Sequence, residues 1–403
     1  MTVKSWREVD LGEVVEFLDY KRRPLNSRER AERKGSYPYY GASGPFDGVD
    51  DYLFDGRYLL VAEDGENLNS RKLPVAFFAT GKFWVNNHAH IIRGLPGLAD
   101  DDFLKHWFAG NNISGYITGA AQPKLSQASM KRIRLLLPTY EAQRRITSIL
   151  SAYDDLIENN TRRIAILEEI ARRIYEEWFV RFRFPGHEGV RMVESELGFV
   201  PEDWTITTLG RLVQVNARSV RRGTEPAEIR YVDISSVSTG SMDKKESMLF
   251  TQAPGRARRI VQHGDVIWAC VRPNRKSYSL VLDPEPNLLV STGFAVLSPV
   301  GAPWSFVYQC VTTDNFVSYL VNHAKGAAYP AVSAGDFENA KVLKPTDDIV
   351  QAYDRMAEPM MRLVAALQLK NANLRTTRDL LLPKLISGEL DVSALPEPEI
   401  LAA

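Results

Sequence analysis

The chain has 403 residues, 44% hydrophobic and 25% charged, with 50 basic against 50 acidic side chains and a formal net charge of zero. That composition is that of an ordinary folded protein with room for two to four domains, and it excludes wholesale disorder and a uniformly basic coat for nucleic acid. Two cysteines, Cys270 and Cys310, exclude a disulfide framework and a four-cysteine zinc site.

Residues 1–139 read as mixed α/β. Short strand-like runs, Tyr58–Val61 and Pro74–Phe78, are punctuated by Gly, Asn and Asp turns, and Asp101–Phe108 reads as a helix with acidic residues in its first turn. From about Tyr140 to Phe182 runs a helix without Pro or Gly. Its apolar stripe, Ile146, Leu150, Tyr153, Ile157, Ile164, Leu167, Ala171, Ile174 and Trp178, alternates steps of four and three, the seam of a coiled coil. Asn160 breaks that seam, as a register-fixing polar residue does. Residues 198–346 follow the plan of 1–139, with strands at Asp265–Cys270 and Phe294–Leu297 and a helix-like span from Trp304 to His323. A second helix then carries Tyr353, Met360, Val364, Leu367, Leu374, Leu381 and Leu385, interrupted by Asn371, with Pro359 expected to kink it or end a turn.

The two halves repeat one another. Trp6 and Leu11-Gly12 recur 198 residues later as Trp204 and Leu209-Gly210. Gly119, Pro123, Ser126 and Pro138-Thr139 recur 207 residues later as Gly326, Pro330, Ser333 and Pro345-Thr346. The period is far too long for a solenoid, so the chain reads as a duplicated domain plus a duplicated helix with pseudo-two-fold symmetry. Two matching helices pack most simply against each other, antiparallel if the globular parts lie at opposite ends, each roughly 60 Å long.

Catalytic signatures are scarce. Ala76–Phe83 resembles the end of a P-loop but lacks the first Gly and the Ser/Thr after Lys82. No Gly-rich nucleotide loop follows a strand, and no Asn-Pro-Pro-aromatic motif of amino-methyltransferases occurs. Asp233, Asp243 and Lys245 mimic a metal-dependent nuclease site at a spacing common by chance. His88 and His90 alternate on an expected strand and would face one side, too few ligands for a metal.

Polar and basic loop residues are plentiful at corresponding points of both halves. Lys21, Arg22, Arg23, Asn26 and Arg28 follow the first strand, and Arg218, Arg221 and Arg222 occupy the matching place. Tyr40 precedes a flexible Gly41–Gly44 loop containing Ser43; Arg272, Asn274, Arg275 and Lys276 follow the strand ending at Cys270. These residue types reach phosphates and base edges. With Lys82, Asn86, His88, Gln122, Lys124, Ser126 and Ser333 they form the candidate DNA-contact set. Charge alone decides nothing, since residues 1–139 hold 19 Lys and Arg against 17 Asp and Glu, and residues 198–346 hold 16 against 13.

The chain resembles the specificity subunits of Type I restriction–modification enzymes across essentially its whole length. The resemblance rests on Trp6 with Leu11–Val14 opening one unit, Leu197–Trp204 opening the next, Gln122–Ser126 and Leu136–Pro138 closing the first, Glu141–Ile146 with Leu156–Asn160, and Leu381–Leu390 near the end. The second copy departs at Tyr329–Ser333, which lacks the Gln and Lys of the first, and at Asp347–Gln351.

The resemblance implies an α/β (α+β) fold with two target recognition domains, 1–139 and 198–346, each reading half of a split site in double-stranded DNA. Two long antiparallel coiled-coil helices, within 140–197 and 347–403, would set the spacing. It further implies no catalysis by this chain, two docked methylation subunits, and restriction and motor subunits that join them. S-adenosylmethionine, ATP and magnesium would be bound by those partners. The bland alternatives are a self-contained nuclease and a coiled-coil scaffold with two protein-binding heads. The N-terminus shows no apolar signal-peptide core and no run approaches a membrane span, so the expected location is cytoplasmic, away from membranes.

Overall fold

The computed structural model describes residues 6–119 and 121–392. The chain divides into two compact units. One comprises Met1–Asn159 with Asn371–Ala403, and the other Asn160–Lys370, so each unit holds a globular part and a piece of both long helices.

In the first unit a six-stranded sheet runs in the order Val15–Phe17, Ala89–Gly94, Phe54–Ala62, Ala76–Val85, Lys34–Gly41, Gly44–Val49. All neighbours are antiparallel except the pairing of Lys34–Gly41 with Ala76–Val85. The stretch that looked like a P-loop ending is the middle of the strand Ala76–Val85, so Gly81-Lys82 cradle nothing. The second unit holds two four-stranded sheets, in the orders Val213–Val215, Phe294–Pro299, Val266–Ala269, Tyr278–Leu280 and Glu246–Leu249, Glu228–Val232, Leu288–Ser291, Ala257–Ile260, with its other strands in two-stranded ribbons.

The repeat reappears as shared hydrogen bonding. Arg7–Asp10 pairs with Arg134–Leu137, and Thr205–Thr208 pairs with Lys341–Lys344 in the same antiparallel register, shifted by 198 on one strand and 207 on the other. The Leu11 amide donates to the Ile133 carbonyl, and the Leu209 amide to that of Ala340, both at 2.8 Å. Gly12 and Gly210 recur for a steric reason. A Cβ on Gly12 would lie 3.0 Å from the Lys131 side chain, and one on Gly210 would lie 3.1 Å from the Glu338 carbonyl. Each is a contact between two short helices that leaves little room for a side chain.

The first long helix spans Tyr140–Tyr175 and continues as a π-helical turn over Glu176–Val180. Its start is pinned by Gln143, which is fully buried. The Gln143 carboxamide accepts from the Asp100 amide at 2.8 Å and donates to the carbonyls of Leu98 and Pro138. The counterpart 207 residues on is Val350, also buried, so the second copy makes the same junction by apolar packing.

The second long helix spans Asp347–Ile386 without a break. Pro359, expected to kink the helix or end a turn, does not end it. Proline removes one backbone donor, but Pro359 faces solvent while Ala357 and Met361 beside it are buried and anchor the turn.

Within the first unit the helix segments run antiparallel. Asn371 Nδ2 donates to the Ile157 carbonyl at 3.3 Å, and one turn or two later Arg378 meets the earlier residue Asp154 at 2.6 Å. Ile146, Leu150, Ile157 and Leu385 are buried there, while Tyr153, Leu374 and Leu381 are partly so. In the second unit Val364 and Leu367 are buried, and Ile164, Leu167, Ile174, Trp178 and Met360 are half-buried. Asn160 and Asn371 are 3% and 2% exposed, so both seam breaks are interior polar groups, the kind that fixes register because it must be hydrogen-bonded.

One element differs from expectation. The span from Trp304 to His323 is two helices, Trp304–Cys310 and Asp314–His323. Thr313 starts the second by accepting from the Phe316 amide at 3.2 Å, and the Thr312 hydroxyl donates back to the Tyr308 carbonyl at 2.8 Å. Threonines at a cap compete with helix continuation, which apolar periodicity does not register.

Candidate nucleic-acid interface

In each unit two loops are clamped together by matching backbone bonds. In the first, the Leu125 amide donates to the Glu63 carbonyl at 2.7 Å and the Gly65 amide to that of Pro123 at 3.0 Å. In the second, Val332 donates to Cys270 at 3.0 Å and Arg272 to Pro330 at 2.7 Å, the same four positions moved by 207. The position that is Gly65 in one copy is Arg272 in the other, and both have left-handed backbone, with φ of 102° and 53°. For an L side chain that conformation costs about 1–2 kcal/mol. Arg272 uses it to lay its guanidinium 4.8 Å from the centre of the Tyr329 ring and to donate to the Ala328 carbonyl. Beyond it Asn274 and Arg275 are exposed, and Lys276 is paired with Asp314 at 2.7 Å. Tyr329, 69% exposed, was not singled out from the sequence. The signal was available, because Tyr329 is the counterpart of Gln122, which is exposed at the same point of the first unit.

Around the first loop pair, several candidates serve the fold. Arg22 is held by Asp19 at 3.3 Å, by Glu63 at 2.8 Å and by the Ala89 carbonyl, with only 15% of its side chain exposed. His90 completes this cluster, its ring nitrogens meeting Asp19 at 2.6 Å and the Leu125 carbonyl at 2.7 Å. Burial pushes the Asp19 carboxyl up, but the hydrogen bond and charge of His90, the Ile91 amide and Arg22 outweigh it, and the net shift is downward. His88 and His90 therefore do not share an exposed face. His88 lies just before the strand and bonds Asp64 at 2.7 Å, while His90 is interior. Lys124 is half exposed, 3.4 Å from Glu63.

Further readings are corrected by burial or by the bonds the side chains already make. Asn86 is 5% exposed and its Oδ1 accepts from the His88 amide, so it shapes the turn and offers nothing to a duplex. Arg218 is locked onto buried Asp265 at 2.9 Å and onto the Ser298 hydroxyl at 2.9 Å. Asn26, Ser126 and Ser333 cap short helices. Asn26 accepts from the Arg28 and Glu29 amides and Ser126 from that of Ser129, while the Ser333 hydroxyl donates to Asp336. The Tyr40 ring is half-buried against Phe77 and Phe83.

The remaining candidates are on the surface. Lys21, Arg23, Ser43, Gln122, Arg221 and Arg222 are exposed, Arg28 pairs with Glu32, and Lys82 lies 4.6 Å from the Tyr52 ring. Two of the three residues of the nuclease alternative are engaged elsewhere, while Asp243 is exposed. Asp233 caps the turn at Ser236 and faces Arg256, and Lys245 pairs with Glu285 at 3.1 Å. Among the described residues no group of three or more His, Cys, Asp or Glu could hold a metal, and no helix is long and apolar enough to cross a membrane.

Residues 3–169 match the sequence profile of the Type I restriction modification DNA specificity domain. The specificity subunit of the Type I restriction enzyme MjaIX from Methanocaldococcus jannaschii is 25% identical over 84% of this chain and 80% of its own length. That of MjaVIII from the same organism is 20% identical over 97% of this chain and 94% of its own. The fold matches the crystal structure of a Type I restriction–modification S subunit from M. genitalium, with a TM-score of 0.66 over 96% of this chain and 97% of that one at 14% identity. Residues 3–169 thus match the DNA specificity domain of Type I restriction–modification systems, and the chain is similar along most of its length to Type I specificity subunits. Its activity is DNA target recognition, the property by which the matched domain is described. In each unit the clamped loops gather cations and backbone amides at one place, and in the second an exposed aromatic as well.

Proposed function

We propose that this chain is the non-catalytic recognition subunit of a Type I complex and reads a bipartite site in double-stranded DNA. Residues 1–139 would read one half and residues 198–346 the other. The helices within 140–197 and 347–403 would fix the spacing and carry two methylation subunits, with restriction and motor subunits joining them. S-adenosylmethionine, ATP and magnesium would be held by those partners. The observation that carries this reading is the recurrence of the same loop-clamping hydrogen bonds at a shift of 207, with different side chains displayed on each copy. Two equivalent scaffolds bearing different loops suit two different short sequences. B-DNA repeats about every 34 Å, so half-sites one turn apart can be read from one face.

The test is to map methylated adenines in DNA modified by the assembled complex. The expected motif is two short specified blocks separated by a few unspecified base pairs. Exchanging residues 1–139 for the equivalent part of a relative should change one block only. A single uninterrupted motif, or a change in both blocks, would overturn the proposal.

A further inference from the structure

In the first unit, three charged side chains tie the short helix Asp101–Gly110 to both long helices. Lys105 lies 3.3 Å from Asp154, and Asp154 also receives Arg378 at 2.6 Å. The positions 207 residues from Asp154 and Arg378 are Met361 and Ala171. Nothing in the second unit replaces the ionic plug, and these two residues instead line a cavity of about 810 Å³. Its walls carry three tyrosines, Tyr175, Tyr278 and Tyr308, with Tyr278 and Tyr308 edge to face at 6.2 Å between centroids. This is the size of a site for a small organic ligand, well beyond that of a water or a metal ion.

The charges around the cavity are unevenly matched. Arg172 is engaged by Glu169 and Glu176, Arg181 by Glu177, and Lys276 by Asp314. Glu168 also lines the cavity, and among the described residues no cation pairs with it. Its Oε1 and the Tyr308 hydroxyl both approach the bare Cα of Gly240, 3.8 Å and 3.5 Å from where a Cβ would stand. Partial burial pushes the Glu168 carboxyl above the ordinary range, although one flank of the residue stays exposed. Aromatic faces attract cations, and the Glu168 carboxylate at the cavity's solvent-exposed edge adds to that attraction. An anion would be repelled by Glu168, and a neutral apolar ligand would gain nothing from it.

We propose that this cavity binds an organic cation, a guanidinium or ammonium on an aliphatic stem, with the head at Glu168 and the stem among the tyrosines. The source is either a free amine or an arginine or lysine side chain of a partner. The chemistry is the same.

The test is calorimetric titration of the full chain with butylguanidinium and butylammonium chloride, with butanol as the neutral counterpart. Both cations should saturate one site and butanol should not. Glu168→Gln should weaken cation binding by about tenfold without changing the thermal unfolding of the free chain. Ala365→Trp, on the cavity wall, should block it. Equal binding of butanol, or an undiminished affinity in Glu168→Gln, would overturn the proposal. Repeating the titration on chain assembled with its methylation subunit separates the two sources, and only this arm rests on the assembly proposed above. Loss of binding there identifies a partner side chain as the occupant, and retained binding identifies a free cation.

Discussion

Tyr353→Ala should lower the unfolding free energy of the second unit by about 3–5 kcal/mol, among the largest losses a single truncation gives. Tyr353 is fully buried, and its ring meets those of Tyr175, Trp178 and Phe179 at 5.9, 6.2 and 5.2 Å. Its hydroxyl donates to the Ala171 carbonyl at 3.3 Å, joining the two long helices inside one core. Alanine removes the ring, opens a cavity and leaves that carbonyl without its side-chain donor. Tyr353→Phe keeps the packing and should lose only about 1 kcal/mol, the usual net value of a hydrogen bond. Urea unfolding followed by tryptophan fluorescence reads both, because Trp178 and Trp204 belong to the same cluster. A Tyr353→Ala chain as stable as the parent would mean that the helices do not depend on this junction.

The junction was legible in part. The heptad seam placed Tyr353, Ile146 and Leu385 on apolar stripes because periodicity records which residues share a face. The repeat was legible because turn glycines and capping serines are fixed by backbone geometry, which duplication preserves even when loop side chains diverge. Arg22, Arg218 and Asn86 were misread for one common reason. Local sequence shows residue type but not partners or burial: Glu63 and Asp265, which engage Arg22 and Arg218, lie 41 and 47 residues away, and Asn86 is buried in its own turn. The same holds for the cavity. Ala171 looks like an ordinary seam residue and Met361 lies beside the seam residue Met360, until Asp154 and Arg378 are seen making an ion pair at the corresponding place. Tyr329 was passed over because it broke the Gln-Pro-Lys pattern of the first copy, yet a change of residue at a fixed loop position is what two different half-sites would require.

Two arginines separate scaffold from reader. Arg22→Ala should destabilise the first unit by about 3 kcal/mol, because breaking a largely buried ion pair strands the opposite charge, here Asp19 and Glu63 beside His90. Arg275→Ala should change stability by less than about 0.5 kcal/mol, since the residue is exposed on a loop. On the proposed function its effect falls on DNA binding: about 1–3 kcal/mol and a relaxed half-site if it reads a base, or a uniform loss with a flatter salt dependence if it holds a phosphate. The Arg22 effect carries a pH signature. The Asp19 carboxyl is held below its ordinary value in the folded chain, so the stability it contributes is present above the ordinary carboxylate range. That contribution disappears as pH falls through the lowered value, and the gap between parent and Arg22→Ala should narrow in acid. Urea melts at neutral and acidic pH, together with salt-dependent DNA titrations of the assembled complex, measure both arginines. If Arg22→Ala melts like the parent but binds DNA poorly, Arg22 faces the duplex, and the buried cluster around Asp19 does not describe the working protein.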